Sequence, residues 1–195
     1  LKDSQTRINL MRSFAGESQA RNRYTYAAEA AKSQSLHVIE AVFKFTANQE
    51  KEHGKIFYNY LKEMTGENIT IDGSYPVDIY DDVLKLLRSA QHNEFEEFEP
   101  VYPDFAAVAN QEGFTNIGAK FNQIAKIEKT HGDRFGMFAD LLEQGKLFVS
   151  DVEEEWMCLN CGYVHKSSEA PKSCPVCSHP QGYFVRLKLA PFTTM

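Results

Sequence analysis

Two polar residues interrupt an otherwise apolar helical stripe between positions 117 and 142. Ile117, Phe121, Ile124, Glu128, His131, Phe135, Phe138 and Leu142 step by fours and threes, which places them on one face of a helix. Such a face packs against a core, where an ionised carboxylate without a partner is costly, so Glu128 and His131 require a compensating ligand. One turn apart, their side chains can converge on a metal ion.

The same stepping recurs upstream. Over positions 6–31 it takes in Leu10, Phe14, Glu17, Arg21, Tyr24, Ala28 and Ala31, predicting a first helix with a glutamate in its stripe. Arg21 shares that face and needs a carboxylate partner or a place at its edge. After the polar turn Ser33-Gln34-Ser35, a second helix over positions 36–64 aligns Ile39, Phe43, Thr46, Glu50, His53, Phe57, Tyr60 and Met64. Glu50-x-x-His53 repeats the spacing of Glu128 and His131. Residues at equal height in an antiparallel hairpin are equidistant from its turn. The midpoint between Glu17 and Glu50 falls on this turn, so their carboxylates are expected to face each other.

Positions 65–76 are too polar and glycine-rich to stay helical. Extended, such a segment reaches roughly 40 Å, the length of the preceding helix, which allows a full crossover and makes helices two and three parallel. A third helix is expected to begin at positions 77–80, with Val83, Leu87, Ala90, Glu94, Glu97 and Val101 on its stripe. The midpoint between Glu97 and Glu128 falls at Glu112-Gly113, so the second hairpin mimics the first with Glu97 facing Glu128. Glu94 is an additional in-stripe candidate, whereas Glu96 and Glu99 are expected to face solvent. Pro100 and Pro103 remove backbone donors and predict a kink or bulge.

Together the hairpins pair Glu17 with Glu50 and His53, then Glu97 with Glu128 and His131. One glutamate from each of two helices and Glu-x-x-His from each of the others is the ligand set of dinuclear carboxylate bundles. Four carboxylates balance two divalent cations, and mixed oxygen and nitrogen donors suit iron or manganese. A lone helical glutamate is usually a solvated residue; the duplicated pattern, centred twice on a turn, argues against that here. Tyr24, two turns after Glu17, can hydrogen-bond a ligand carboxylate. Tyr102 reads as core packing.

A second signal is Cys158-Leu159-Asn160-Cys161 with Cys174-Pro175-Val176-Cys177, two knuckles presenting four thiolates to zinc or to one redox iron. Gly162 and Pro175 suit the tight turns of such a site. His165 and His179, near the knuckles, read as structural, and His37 and His92 as surface residues. The expected organisation is a bundle over residues 1–147, a linker with the run Glu153-Glu154-Glu155 over 148–155, and a small β-rich metal domain over 156–195.

Composition narrows the partners. Lys and Arg number 21 against 27 Asp and Glu, and a net charge of −6 suits nucleic acid poorly. No run of about 18 apolar residues predicts a membrane span, and the first residues carry no signal-peptide apolar core. The expected location is cytoplasmic, where paired Cys-x-x-Cys motifs favour metal over disulfides.

The sequence resembles the rubrerythrin family over essentially its whole length. The resemblance is carried by Ala15-Gly16-Glu17-Ser18-Gln19-Ala20-Arg21-Asn22-Arg23-Tyr24, Gln49-Glu50-Lys51-Glu52-His53, Tyr102-Pro103-Asp104-Phe105, Glu128-x-x-His131 and Cys161-Gly162-Tyr163-Val164-His165. It implies a ferritin-like di-iron bundle followed by a rubredoxin-like domain with iron at Cys158, Cys161, Cys174 and Cys177. It further implies a non-haem peroxidase reducing hydrogen peroxide to water in oxidative-stress defence. Electrons would come from NAD(P)H through a reductase or rubredoxin, in a homodimer or higher homo-oligomer with transfer between subunits. The family often places a second glutamate three residues after the third-helix ligand, where it exchanges with the second-helix histidine. Counted back from Tyr102-Pro103, that position is Pro100, which puts the exchange in question. Two alternatives stand beside this reading: ferroxidase or iron storage by the bundle, and a structural zinc ribbon on a partner-binding protein.

Overall fold

The structure, a computed structural model, describes residues 1–192; the last three positions of the expected metal domain lie outside that range. Helices α1 (Gln5–Ser33) and α2 (His37–Tyr60) form one hairpin. Helices α3 (Val83–Glu96) and α4 (Tyr102–Gln111), joined by a π-helical turn over Glu97–Val101, make the third limb, and α5 (Thr115–Glu143) the fourth. Two aromatic layers fix the limb directions. Tyr24, Phe43 and Phe135 pack with ring centroids 5.0–6.0 Å apart, and Phe57, Tyr102 and Phe121 at 5.0–5.9 Å. Chain numbers rise between the layers along α2 and fall along α5, and the third limb runs from Leu87 and Ala90 in the first core cluster to Tyr102 in the second. Helices α2 and α3 are therefore parallel, with residues 65–82 as the crossover.

Two boundaries differ from the sequence expectation. Helix α2 ends at Tyr60 and passes into a 3₁₀ turn at Lys62–Met64. Helix α3 starts at Val83 instead of positions 77–80, because Val77 and Ile79 are 79% and 88% exposed and bury nothing that would support a helix. The start is set by Asp82, whose Oδ1 accepts the Leu84 N–H at 2.8 Å. Arg21 lies on the exposed side of its stripe.

Residues 148–155, expected as a linker, supply most of strand β1 (Val149–Cys158). It pairs antiparallel with β2 (Val164–Glu169) and β3 (Phe184–Arg186) in the order β2-β1-β3. Trp156, Cys158, Ala170, Cys174 and Phe184 form a small core of their own. The bundle core runs into this module through Leu147 and Val185. His37, expected at the surface, stacks on Tyr183 at 4.0 Å and pairs with Glu40 at 2.9 Å, so it belongs to the seam between the two units. Among the described residues no helix is long and apolar enough to cross a membrane.

Candidate metal centres

Between the two aromatic layers lies a polar layer with almost no access to solvent. Glu17, Glu128 and His131 are 0% exposed, Glu50 and Glu94 1%, and His53 6%. His53 Nδ1 lies 2.9 Å from Glu128 Oε1, 3.1 Å from Glu50 Oε2 and 3.9 Å from Glu17 Oε1. His131 Nδ1 lies 2.9 Å from Glu50 Oε1, 2.9 Å from Glu128 Oε2 and 3.5 Å from Glu94 Oε2. Each oxygen of Glu50, and each of Glu128, thus turns to a different histidine. Two four-residue subsites result: Glu17, Glu50, His53 and Glu128, then Glu50, Glu94, Glu128 and His131. They share the carboxylates of Glu50 and Glu128.

The carboxyl groups of this layer outnumber its two histidines. Burial and the neighbouring carboxylates push Glu17 and Glu97 well above the usual carboxylate range. Burial and Glu50 push Glu94 up to about 8. Burial would raise Glu50 as well, but His131 and His53 bring it down to about 2. Burial opposes a charge on either histidine, yet Glu128 and Glu50 carry His53 up to about 9 and His131 up to about 12. Short as some of these approaches are, both ring nitrogens of His131, both oxygens of Glu128, and one oxygen each on Glu17, Glu50 and Glu94 are buried without a well-directed hydrogen bond. Groups buried this way are costly unless a ligand takes them, and this donor set fits two iron ions.

The third limb departs from the spacing argument. Its member of the close cluster is Glu94, while Glu97, half-buried in the π-helical turn, lies outside both subsites. The turn is the cause. A midpoint count assumes the same rise per residue on both limbs, and the turn over Glu97–Val101, with Glu99 at φ −157°, ψ 116°, breaks that regularity. Glu96 and Glu99 face solvent. Two phenols complete the layer: Tyr24 donates to Glu94 Oε1 at 2.5 Å and Tyr102 to Glu17 Oε1 at 2.5 Å. The contact of Tyr102 was not legible from the sequence: counted as one regular helix, the third limb carries Val101 on its stripe, and past the π-helical turn it is Tyr102 that is buried.

The second centre gathers Cys158, Cys161, Cys174 and Cys177, with Sγ separations of 3.8 Å for Cys158–Cys177 and 3.6 Å for Cys161–Cys174. The His179 N–H draws Cys177 down to about 6. The Tyr163 N–H favours the Cys161 thiolate, but desolvation and the adjacent thiols prevail and push it up to about 12. Four thiolates can coexist here only around a cation. His179 Nδ1 lies 3.1 Å from the Cys177 carbonyl oxygen and His165 Nδ1 3.4 Å from the Tyr163 hydroxyl, and neither histidine is part of the thiol group.

Comparison with known proteins agrees with this pair of centres. A family model described as rubrerythrin matches residues 9–139, and one described as the rubredoxin-like domain of rubrerythrin matches residues 156–185. The rubrerythrin of Clostridium perfringens is 45% identical over 185 residues, covering 94% of this chain and 95% of that relative. A solved structure of fully reduced, all-ferrous nigerythrin is similar with a TM-score of 0.64 at 27% identity, covering 94% of this chain and 90% of the other. A bacterioferritin of Desulfovibrio desulfuricans, at 20% identity and a TM-score of 0.64 over 73% of this chain and 82% of its own, shares the bundle fold. Both the carboxylate–histidine layer and the four-cysteine centre fit iron.

Proposed function

The chain belongs to the rubrerythrin family, and from that premise we propose that it is a non-haem di-iron peroxidase reducing hydrogen peroxide to water. The reading is carried by the presence, in one chain, of two subsites sharing Glu50 and Glu128 and of a four-cysteine centre suited to single-electron transfer. When bound, a ferrous pair supplies two electrons to the O–O bond of hydrogen peroxide, which takes up two protons and leaves as two waters. Glu17, Glu50, His53 and Glu128 would hold one metal, and Glu50, Glu94, Glu128 and His131 the other. Glu97, three residues beyond Glu94, would be the carboxylate available to exchange with His53, in place of the position counted to Pro100. Its carboxyl group lines a cavity and relays protons from there to the reacting oxygens. Tyr24 and Tyr102 orient the carboxylates of Glu94 and Glu17.

Electrons enter at Cys158, Cys161, Cys174 and Cys177, drawn from NAD(P)H through a reductase or rubredoxin. In its own chain the module sits against the α1–α2 turn, at His37. From there to Glu50 is about 20 Å along α2. A homodimer or larger homo-oligomer, in which the four-cysteine centre of one copy serves the bundle of another, shortens that path. The test is peroxide-dependent oxidation of the reduced, iron-loaded protein, followed optically at both centres. Oxidation of both is expected. If peroxide leaves them reduced while oxygen and ferrous iron turn over quickly, ferroxidase chemistry is the better account.

A further inference from the structure

The crossover is tied down beside the metal layer. Arg12 of α1 donates through Nε to the Asp72 carbonyl oxygen at 3.1 Å and pairs through Nη2 with the Asp72 carboxylate. The Tyr75 hydroxyl donates to the Arg12 carbonyl oxygen at 3.1 Å. Further on, Asp78 Oδ2 accepts from Arg23 Nη1 at 2.7 Å and from Asn93 Nδ2 at 2.8 Å.

Against this strap lies a cavity of about 230 Å³, with Arg12, Ser13, Tyr75, Glu97 and Tyr102 in its wall. The wall reaches the metal layer, because Tyr102 donates to Glu17 and the Glu97 carboxyl sits beside Gly16. A Cβ on Gly16 would lie 3.7 Å from the Tyr75 ring and 3.9 Å from Glu97 Oε1, so the missing side chain keeps the space between ring and carboxyl open. Ser13 adds an independent observation. It is 3% exposed, one turn before Glu17, and its Oγ has no hydrogen-bond partner among the described residues. A buried hydroxyl in that state is costly unless a ligand or water meets it.

We propose that this cavity admits and holds a small hydroperoxide beside Glu97, that Ser13, which lines it, turns its buried hydroxyl inward to hydrogen-bond it, and that the Arg12–Asp72–Tyr75 latch limits the size admitted. The proposal rests on the peroxidase reading above. A water occupies about 30 Å³ in the liquid, so hydrogen peroxide and its hydration fit this volume comfortably. A hydroperoxide carrying an aromatic ring must displace Tyr75 to reach Glu97. The Ser13 hydroxyl can donate to one peroxide oxygen or accept from its O–H, matching a substrate that is both donor and acceptor.

The test uses the full-length, iron-loaded protein with hydrogen peroxide and cumene hydroperoxide. Ser13→Ala should raise KM for hydrogen peroxide about five-fold, the scale of one hydrogen bond, with kcat within about two-fold. Ser13→Thr, which keeps the hydroxyl, should restore KM. Tyr75→Ala should raise kcat/KM for cumene hydroperoxide about ten-fold relative to hydrogen peroxide. In the metal-free protein, Arg12→Ala should speed amide hydrogen exchange over residues 70–78 about ten-fold, and Ser13→Ala should leave it unchanged. An unchanged KM in Ser13→Ala, equal impairment in Ser13→Thr, or a selectivity unmoved by Tyr75→Ala overturns the proposal and leaves the peroxidase reading standing. Wild-type protein that does not consume hydrogen peroxide overturns both.

Discussion

The phenol of Tyr102, on the third limb, donates a 2.5 Å hydrogen bond to Glu17 Oε1 on the first. Tyr24 returns the arrangement in the opposite sense, from the first limb to Glu94 Oε1 on the third, also at 2.5 Å. Each subsite thus has one carboxylate held from outside by a buried phenol. The bond from Tyr102 favours the ionised form of Glu17, against burial and three neighbouring carboxylates.

Removing either phenol should weaken metal binding without unfolding the bundle. Tyr102→Phe and Tyr24→Phe keep the ring packing and delete the donor, and loss of such an orienting partner typically costs about 10- to 100-fold in metal affinity. A competition titration against an iron chelator reads this directly. Affinities equal to wild type would reduce the phenols to packing residues.

Glu94 and Glu97 should separate by what their loss does. Glu94→Ala removes a member of the His131 subsite, so iron bound in the bundle should fall from about two per chain towards one, because open coordination positions there lack a protein donor. Glu97→Ala should keep both irons and slow peroxide turnover by about 10²-fold, the scale of a lost general acid. Metal analysis beside steady-state kinetics distinguishes the two. Equal iron loss in both variants would return Glu97 to the obligatory ligand set.

Helix α1 has a cap supplied from the far side of the chain. Glu112 accepts the Gln5 N–H and the Thr6 N–H, each at 2.8 Å, and the Thr6 hydroxyl at 2.6 Å. The Thr6 hydroxyl and these N–H groups hold its carboxyl below the ordinary range. A folded-state value below the unfolded one means that the stabilisation is present above the unfolded value and is lost as pH falls through the folded one. Glu112→Ala should therefore cost about 1 kcal/mol near neutral pH, with the difference from wild type shrinking in acid. Denaturant melts across that range check the sign.

The docking of the metal module depends on a missing side chain. A Cβ on Gly182 would fall 1.8 Å from the Ser35 carbonyl oxygen, a backbone atom that cannot rotate away. Gly182→Ala should push the module off the α1–α2 turn at a cost of about 1–3 kcal/mol, break the His37–Tyr183 stack, and expose the seam to protease. The visible absorption of iron at the four cysteines should persist, since that site is built from residues 158–177 alone. Unchanged protease resistance would show that the seam tolerates the methyl group.

What the sequence determined by itself follows from period. A helix of 3.6 residues per turn carries every fourth or third residue to one face, so the buried placement of Glu17, Glu50, His53, Glu128 and His131 was legible as polar breaks in apolar stripes. The cysteine knuckles were legible because their spacing is local. Tertiary structure decided what depends on geometry between segments. The π-helical turn brought Glu94 instead of Glu97 into the cluster, since residue counting holds only where rise per residue is uniform. The start of α3 depended on what residues 77–80 could bury, and strand β1 took in an apparent linker because β2 was there to pair with it. The cavity at Ser13 arises where α1, the crossover and the third limb meet, and no spacing within one segment encodes such a meeting.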